Sequence, residues 1–272
     1  MRAARVSPAC ACVLLCATAW FSACVPWVLG VESAFESVGA PHCGALSSPA
    51  VFTPTALCVD YRKRGRHFGT HELVALLSGT AERLSHAHPD AVLHVGDLSA
   101  PHGGWISEHA SHRTGRDVDL AFFLTDMAGQ PVAASAATRI DRFGLGLRGT
   151  RVVRFDTARN WAVVRSLLQG DEADIQWIFV SASVKARLLS FAVRKGESWE
   201  LIDRAERVLH QPTGAAPHDD HFHVRIFCPR GVAGAFCQPL GPSRPWRVSI
   251  PDAVLTDDRR LDLALSACIE PN

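Results

Sequence analysis

The chain has 272 residues, of which 47% are hydrophobic and 20% are charged, and its formal net charge at pH 7 is +1. This composition excludes a disordered chain and suits one globular domain or a small pair of them. A net charge near zero provides no field that steers a protein onto nucleic acid, and the aromatic fraction of 8% offers no stacking platform. We therefore expect no nucleic-acid partner.

The first 30 residues differ from the rest of the chain and predict an export signal. Arg2 and Arg5 precede an uncharged apolar run over residues 9–25. Residues 21–24 loosely resemble a lipoprotein cleavage box, in which Cys24 would be acylated. Ordinary cleavage and an uncleaved anchor are the alternatives, since the run approaches the ~20 residues that span a bilayer. In each case we expect the remaining protein outside the cytoplasm, with membrane contact only through the leader or a lipid anchor.

Residues 31–272 are predicted to form a single domain, with its main body at about 58–230 and terminal segments that embrace it. Leucines at helical spacing predict a helix over residues 72–85, and Asp156 caps a second helix that starts near Thr157. The predicted strands are Ala91–Val95, Asp117–Leu124, Arg151–Phe155, Ile175–Val180 and His221–Phe227.

These elements mix helices and short strands without a regular β-α-β period, which indicates the α+β class. After the last predicted strand, four prolines between Pro239 and Pro251 predict an extended loop ahead of a final short helix.

Five cysteines follow the leader, and an oxidising compartment makes disulfides their expected state. Cys228 and Cys237 would close a short loop directly after a predicted strand. Cys43 could join the start of the domain to Cys268 near its end, which leaves Cys58 over. Metal binding by these thiols is disfavoured because the mature chain contains no C-x-x-C pair.

Two predicted strands carry polar groups on one face and apolar groups on the other. In the last strand, His221, His223 and Arg225 alternate with apolar residues that would face the core. In the strand that begins at Asp117, the same alternation places Asp117 and Asp119 together on the face away from the core. Each strand thus offers metal-competent groups beside an apolar backing.

A third candidate ligand, His112, lies seven positions before Asp119, and Gly115 between them permits the turn that this approach needs. With His223 the set is two imidazoles and one carboxylate, the number that a catalytic zinc uses while its fourth position is left to water. Chance proximity among 13 histidines is the alternative, but it must account for two clusters with the correct strand phase.

Other hydrolase signatures are absent from the sequence. There is no G-x-S-x-G elbow, no P-loop and no glycine-rich dinucleotide fingerprint. His71 and Glu72 begin like a zincin helix, but Ala75 occupies the place of the second histidine.

The two histidine motifs resemble those of a known family. His112-x6-Asp119 with His221-x-His223 is similar to the superfamily of lysostaphin-type peptidases, D-Ala-D-Ala metallopeptidases and hedgehog-like domains. Three longer segments resemble the penicillin-insensitive murein endopeptidases. These are GDLS at 96–99, HASHRTGRDVD at 109–119 and HDDHFHVRIFCP at 218–229. The resemblance covers residues 43–268, and residues 178–185 look like the strand and helix start that precede the second motif.

This resemblance implies a small antiparallel sheet with flanking helices and a zinc site on the open face of the sheet. It also implies a periplasmic enzyme that hydrolyses the D-alanyl to diaminopimelyl cross-link between peptidoglycan stem peptides and is insensitive to β-lactams. Carried over by position, His112, Asp119 and His223 are the zinc ligands, and His221 and His218 are catalytic.

Four neighbouring residues have roles that the sequence leaves open. Asp117 orients a ligand histidine or stabilises a turn, and Arg225 holds a substrate carboxylate or forms a surface salt bridge. Asp220 is a candidate base, but strand alternation points it towards the core, so we rank it below the two histidines. His109 corresponds to a residue that can hold a second metal in this family. Because residues 147–151 offer no partner ligand, we expect one zinc and assign His109 to supporting the loop or the substrate.

Two other functions would use the same residues. A D-Ala-D-Ala carboxypeptidase or dipeptidase needs the same metal set and differs in its products. A non-catalytic wall-binding module that retains zinc is the other alternative. His218 and His221 beside a complete ligand set argue against that module.

Overall fold

The computed structural model describes residues 36–134, 137–234 and 236–247. Its helices are α1 (His71–Ala87), α2 (Thr157–Gln169), α3 (Ala182–Lys195) and α4 (Trp199–Val208). The strands are β1 (Ser37–Ala40), β2 (Cys43–Leu46), β3 (Ala50–Val51), β4 (Cys58–Asp60), β5 (Phe68–Gly69), β6 (Leu93–Val95), β7 (Asp117–Ala121), β8 (Leu124–Thr125), β9 (Pro131–Val132), β10 (Leu145–Arg148), β11 (Arg151–Phe155), β12 (Ile175–Phe179), β13 (Leu209–His210) and β14 (His221–Ile226). The predicted α+β class is confirmed.

A six-stranded sheet carries the candidate site, and its strand order is β13-β12-β14-β7-β6-β4. The four central strands pair antiparallel, as the family resemblance implies. The two edge pairings, β12 with β13 and β4 with β6, are parallel, so the sheet is mixed and larger than expected. A separate antiparallel sheet has the order β10-β11-β8-β9.

Both helices predicted from spacing and caps are confirmed. The side chain of Thr70 accepts from the N–H of Leu73 at the start of α1, and Asp156 accepts from the N–H of Arg159 at the start of α2. Helix α3 follows β12 as residues 178–185 suggested, whereas α4 was not predicted. It starts after the cap Ser198, directly behind the left-handed Gly196 that ends α3.

One face of the six-stranded sheet packs against the helices in a single hydrophobic core. Val118 and Leu120 of β7 and Phe222 and Val224 of β14 are fully buried in the same cluster as the leucines of α1. Burial of a leucine or phenylalanine side chain stabilises a fold by about 1.5–3 kcal/mol. A one-residue slip would turn each of these side chains to the opposite face, so the core fixes the register.

The two ends of the described chain meet beside the buried Arg116. The N–H of Gln238 donates to the carbonyl of Gly39 at 2.9 Å, and the Arg116 guanidinium donates to the carbonyl of Gln238 at 3.0 Å. These bonds hold residues 39 and 238 next to each other, whereas the predicted embrace by the terminal segments stays a prediction. Among the described residues, no helix is both long and apolar enough to cross a bilayer.

The predicted disulfide between Cys228 and Cys237 is present, with a Cα–Cα distance of 5.7 Å. Cys58 is a free thiol, as expected for the cysteine left over, and burial raises its pKa to about 12. Cys268, the predicted partner of Cys43, lies outside the described residues, as do the export signal and the final short helix. Those expectations stay predictions.

The cap of α2 provides a test of the fold. Asp156→Ala removes the acceptor for the N–H of Arg159 and should lower the free energy of unfolding by about 1 kcal/mol. Asp156→Asn keeps a good capping acceptor and should retain most of that stability. Urea unfolding of both variants checks this expectation; equal losses would mean that charge, not capping, is the contribution.

Candidate metal centre

Strands β7 and β14 bring the two sequence motifs side by side. Their antiparallel register pairs Asp119 with His223, Asp117 with Arg225 and Ala121 with His221. Because paired residues point to the same side of a sheet, the polar groups of both strands share one face, as strand alternation predicted. The opposite face of each strand is the buried core described above.

His112 reaches this face from the loop that precedes β7. Its backbone lies in the left-handed region with φ of 66°, and its Nδ1 donates to the carbonyl of Leu98 at 2.7 Å. A carbonyl only accepts, so this bond places the proton on Nδ1 and leaves Nε2 free to face Asp119. The predicted turn at Gly115 is present with φ of 71°, and a Cβ there would lie 2.5 Å from Leu46 Cδ1.

The Asp119 carboxylate lies at the centre of three imidazoles. Its Oδ1 is 3.3 Å from His112 Nε2, 3.3 Å from His221 Nε2 and 3.6 Å from His223 Nδ1. Asp119 and His112 are both fully buried, and neither Asp119 oxygen nor His112 Nε2 has a hydrogen-bond partner within the described part of the chain. Burial of such atoms without partners is costly, so the donor set fits a bound cation.

More than one grouping of these side chains has metal-ligand spacing. His218, His221 and His223 form one group, and His109, His112 and Asp119 form another, each with its ligand atoms within 4.8 Å of one another. The ligand set predicted from the sequence takes members of both groups. It joins two imidazoles to a carboxylate, and the carboxylate partly neutralises a divalent cation, as three imidazoles alone would not.

Asp117 fixes the orientation of His223. Its Oδ1 accepts from His223 Nε2 at 2.8 Å, which turns the lone pair of Nδ1 towards Asp119. Burial lowers the pKa of His223 to about 3 despite the pull of Asp117 in the opposite direction, so the imidazole is neutral at pH 7. Of the two roles considered for Asp117, this contact favours the orientation of a candidate ligand histidine.

Arg225 neutralises Asp117 from the other side. Its Nε donates to the same Oδ1 at 2.6 Å, and its side chain is only 14% exposed, so it is not a surface salt bridge. Burial by itself raises the pKa of Asp117, but Arg225 and His223 hold that pKa well below its usual range. Asp117 is therefore an ionised carboxylate at the buried bottom of the site.

Asp220 does not point into the core, and the prediction from strand alternation is wrong. Strand β14 begins at His221, so Asp220 precedes the alternating segment. Its Oδ1 accepts from His221 Nδ1 at 2.5 Å. Burial alone lowers the pKa of His221, but Asp119 and Asp220 outweigh it and raise that pKa to about 10.

His218 lies next to His221, and its pKa is shifted in the opposite direction. The ring centroids of His218 are 5.3 Å from those of His221 and His223. Its Nδ1 donates to the carbonyl of Ala216 at 2.8 Å, which leaves Nε2 free. Burial and the neighbouring His221 lower the pKa of His218. One imidazole of the pair is thus disposed to be neutral and the other to be cationic.

A buried cluster around Asp97 was not assigned any role from the sequence. Asp97 Oδ2 accepts from His109 Nε2 at 2.9 Å, from Arg62 at 3.3 Å and from Arg66 at 3.1 Å. His109 and Arg62 also lie 3.8 and 3.9 Å from Asp119 Oδ2. His109 thus contacts Asp97 and approaches the second oxygen of Asp119, and the two guanidinium groups place positive charge where a second cation would bind.

No sequence motif marks the arginines of this cluster, because the parallel pairing of β4 with β6 is what brings them close to Asp97. That pairing aligns Asp60 with Val95 and so places the segment after β4 beside Asp97. Asp97 itself lies within the GDLS segment that resembles the family, and this segment was the sequence signal that could have pointed to the cluster. Gly96 permits the close approach, since a Cβ there would lie 3.2 Å from Asp119 Cβ.

Comparison with known proteins identifies similar chains. The family model described as penicillin-insensitive murein endopeptidase matches residues 51–244. Proteins named penicillin-insensitive murein endopeptidase are 27% identical over 183 residues in Haemophilus influenzae and 27% identical over 188 residues in Escherichia coli K12. These alignments cover 66% and 65% of this chain and 57% and 60% of the relatives. The matched part is thus less than two thirds of the length of those relatives.

The buried pairing of Asp117 provides a test of this geometry. Asp117→Ala leaves Arg225 and His223 without their common partner and should lower the free energy of unfolding by about 3–5 kcal/mol. The control is Asp203→Ala, which removes an exposed ion pair with Arg207 on α4 and should leave stability nearly unchanged. Denaturant unfolding of the metal-free proteins measures both; similar small effects would contradict a buried ionised Asp117.

Proposed function

Because the chain belongs to the penicillin-insensitive murein endopeptidase family, we propose that it is a zinc metallopeptidase that hydrolyses peptide cross-links in peptidoglycan. The proposed bond is the one between D-alanyl and diaminopimelyl residues of two stem peptides. One observation carries the proposal: a fully buried carboxylate, Asp119, has no hydrogen-bond partner in the described chain and lies within 3.6 Å of three imidazole nitrogens.

The proposed zinc ligands are His112 Nε2, Asp119 and His223 Nδ1. The hydrogen bonds to Leu98 and Asp117 support this choice, because each fixes the ring proton on the nitrogen that faces away from Asp119. Imidazole and carboxylate ligands in this number are those of catalytic zinc sites. A bound zinc ion activates water as a nucleophile and polarises the scissile carbonyl.

His221 is proposed to stabilise the negative charge that develops on the carbonyl oxygen. Its Nε2 faces the centre of the site, while its Nδ1 is held by the Asp220 carboxylate. The hydrogen bond to the Asp220 carboxylate favours the imidazolium form of His221. A preoriented cation at this point stabilises the transition state more than the neutral substrate.

His218 is proposed as the base that accepts a proton from the attacking water. Its Nδ1–H is held by the Ala216 carbonyl, so Nε2 is the basic atom, and the neighbouring His221 cation favours the neutral ring. Protonated His218 or His221 can then supply the proton that the leaving amine requires. Two histidines with environments that separate their pKa values suit this division of roles.

The compartment is part of the proposal. The Cys228–Cys237 disulfide and a murein substrate both suit a protein outside the cytoplasm, and we propose a periplasmic location. The predicted leader would supply export and, if Cys24 is acylated, a membrane anchor.

A D-Ala-D-Ala carboxypeptidase would use the same groups, and its products distinguish it. Digestion of purified sacculi followed by mass analysis should release monomeric muropeptides from cross-linked dimers. Release of free D-alanine from uncross-linked stems, with the dimers intact, would favour the carboxypeptidase.

Metal content provides a test of the ligand assignment. The purified protein should hold one zinc per chain, and His223→Ala or His112→Ala should lose it. His221→Ala should keep the zinc, because His221 is not assigned as a ligand. The same variant should lose most turnover, because His221 is the group proposed to stabilise the developing negative charge. Elemental analysis with activity measurement checks each variant. Loss of zinc from His221→Ala, or two tightly held zinc ions per chain, would contradict the assignment.

Inhibitor response provides a test of the chemistry. A zinc chelator should reduce muropeptide release to background, and added zinc should restore it. Penicillin should have no effect, since β-lactams trap a nucleophilic serine and no serine here stands in a nucleophile motif. Activity that persists in chelator, or stoichiometric acylation by penicillin, would place the chemistry elsewhere in the chain.

A further inference from the structure

The hairpin of β10 and β11 with the turn before it carries an unusual concentration of positive charge. Residues 139–154, here called the arginine hairpin, contain five arginines and one aspartate in a chain whose total charge is +1. The arginines are Arg139, Arg142, Arg148, Arg151 and Arg154. Arg142, Arg151 and Arg154 are exposed and form no ion pair with any residue that the structure describes.

The arrangement of these arginines is unfavourable for the hairpin itself. Arg148 and Arg151 lie directly opposite each other across the two strands. Like charges in this position destabilise a strand pair. On the other face, Leu147 is 67% exposed and lies opposite the exposed Val152. Arg151 and the exposed apolar pair are thus open to contact with another molecule.

The arginine hairpin adjoins the second histidine motif. The N–H of Ile140 donates to the carbonyl of Asp219 at 2.7 Å, and Asp219 lies between His218 and Asp220 in the chain. A cavity of about 530 Å³ opens at this junction. Its lining includes Leu147 and Val152 together with Arg139 and Asp219.

We propose that the arginine hairpin is a second substrate-binding surface, which holds carboxylate-bearing stem peptides of the peptidoglycan polymer beyond the bond that is cleaved. This inference rests on the proposed function. Guanidinium groups bind carboxylates through paired hydrogen bonds, and exposed arginines raise the local concentration of an anionic polymer. Because the Ile140–Asp219 hydrogen bond joins the two segments, a polymer bound at His218 and His221 can extend along the hairpin.

The shape and charge of the surface favour a peptide over a membrane. The apolar pair Leu147 and Val152 lines a cavity that suits an inserted side chain. Asp141 and Asp219 stand in the same cavity beside Arg139, and this mixture of charges suits peptides that carry both ammonium and carboxylate groups.

The experiment compares two double variants that each remove two positive charges. Arg151→Gln with Arg154→Gln alters the hairpin, and Arg194→Gln with Lys195→Gln alters the exposed last turn of α3 as the control. Sedimentation with purified sacculi, in a His221→Ala background that prevents digestion, measures affinity for the polymer across salt concentrations. Steady-state kinetics in the wild-type background use a minimal soluble fragment of two cross-linked stem peptides.

The hairpin variant should bind sacculi roughly three- to tenfold more weakly at low salt, and the difference should shrink above ~0.15 M salt. Its kcat and KM on the minimal fragment should match those of the wild type, and the control should be unchanged in both assays. Because Arg151 opposes Arg148, thermal unfolding of the hairpin variant should occur at the same or a higher temperature.

Three results would overturn the proposal. These are sacculus binding equal to that of the control, an equal loss on the minimal fragment, and an effect confined to anionic phospholipid vesicles. The last of these would assign the hairpin to membranes. Failure of the wild type to cleave either substrate would instead contradict the proposed function, since sedimentation requires no turnover.

Discussion

The candidate site depends on the in-register antiparallel pairing of β7 with β14. This pairing sets Asp119 opposite His223 and Asp117 opposite Arg225 on one face, while the other face is fully buried against the helices. Because side chains alternate along a strand, any slip that exposed the core would also bury the site groups in it. The hydrophobic core thereby holds a set of charged side chains that the fold would not otherwise favour. Stability and function are joined through one register.

The negative charges of the two buried carboxylates on this face are compensated in two different ways. Asp117 is neutralised within the protein, by Arg225 and by the hydrogen bond to His223. Asp119 has imidazoles and a more distant guanidinium around it but no hydrogen bond among the described residues. Burial of an unpaired carboxylate is unfavourable, and a cation that binds only the folded state stabilises that state by mass action. Metal binding and fold stability should therefore be coupled in this protein.

Much of the site could be predicted from the sequence because it rests on strand alternation and on two local motifs. The shared face of Asp119 and His223, the turn at Gly115 and the disulfide that follows β14 all depend on short-range rules. Asp220 was misplaced because the parity rule fails one residue before the strand starts. The Asp97 cluster was missed because parallel pairing of distant strands assembles it, and no local pattern reports such a contact. The same limit applies to the contact between Ile140 of the arginine hairpin and Asp219.

The central claim is that His112, Asp119 and His223 hold the metal, and the position of a bound zinc ion tests it most directly. Anomalous diffraction at the zinc edge from crystals of the zinc-loaded protein locates that ion. The account predicts one ion bonded to His112 Nε2, Asp119 and His223 Nδ1, with His221 held by Asp220 outside the ligand set. An ion held by His218, His221 and His223 with Asp119 unligated would contradict it, since that group has metal-ligand spacing of its own.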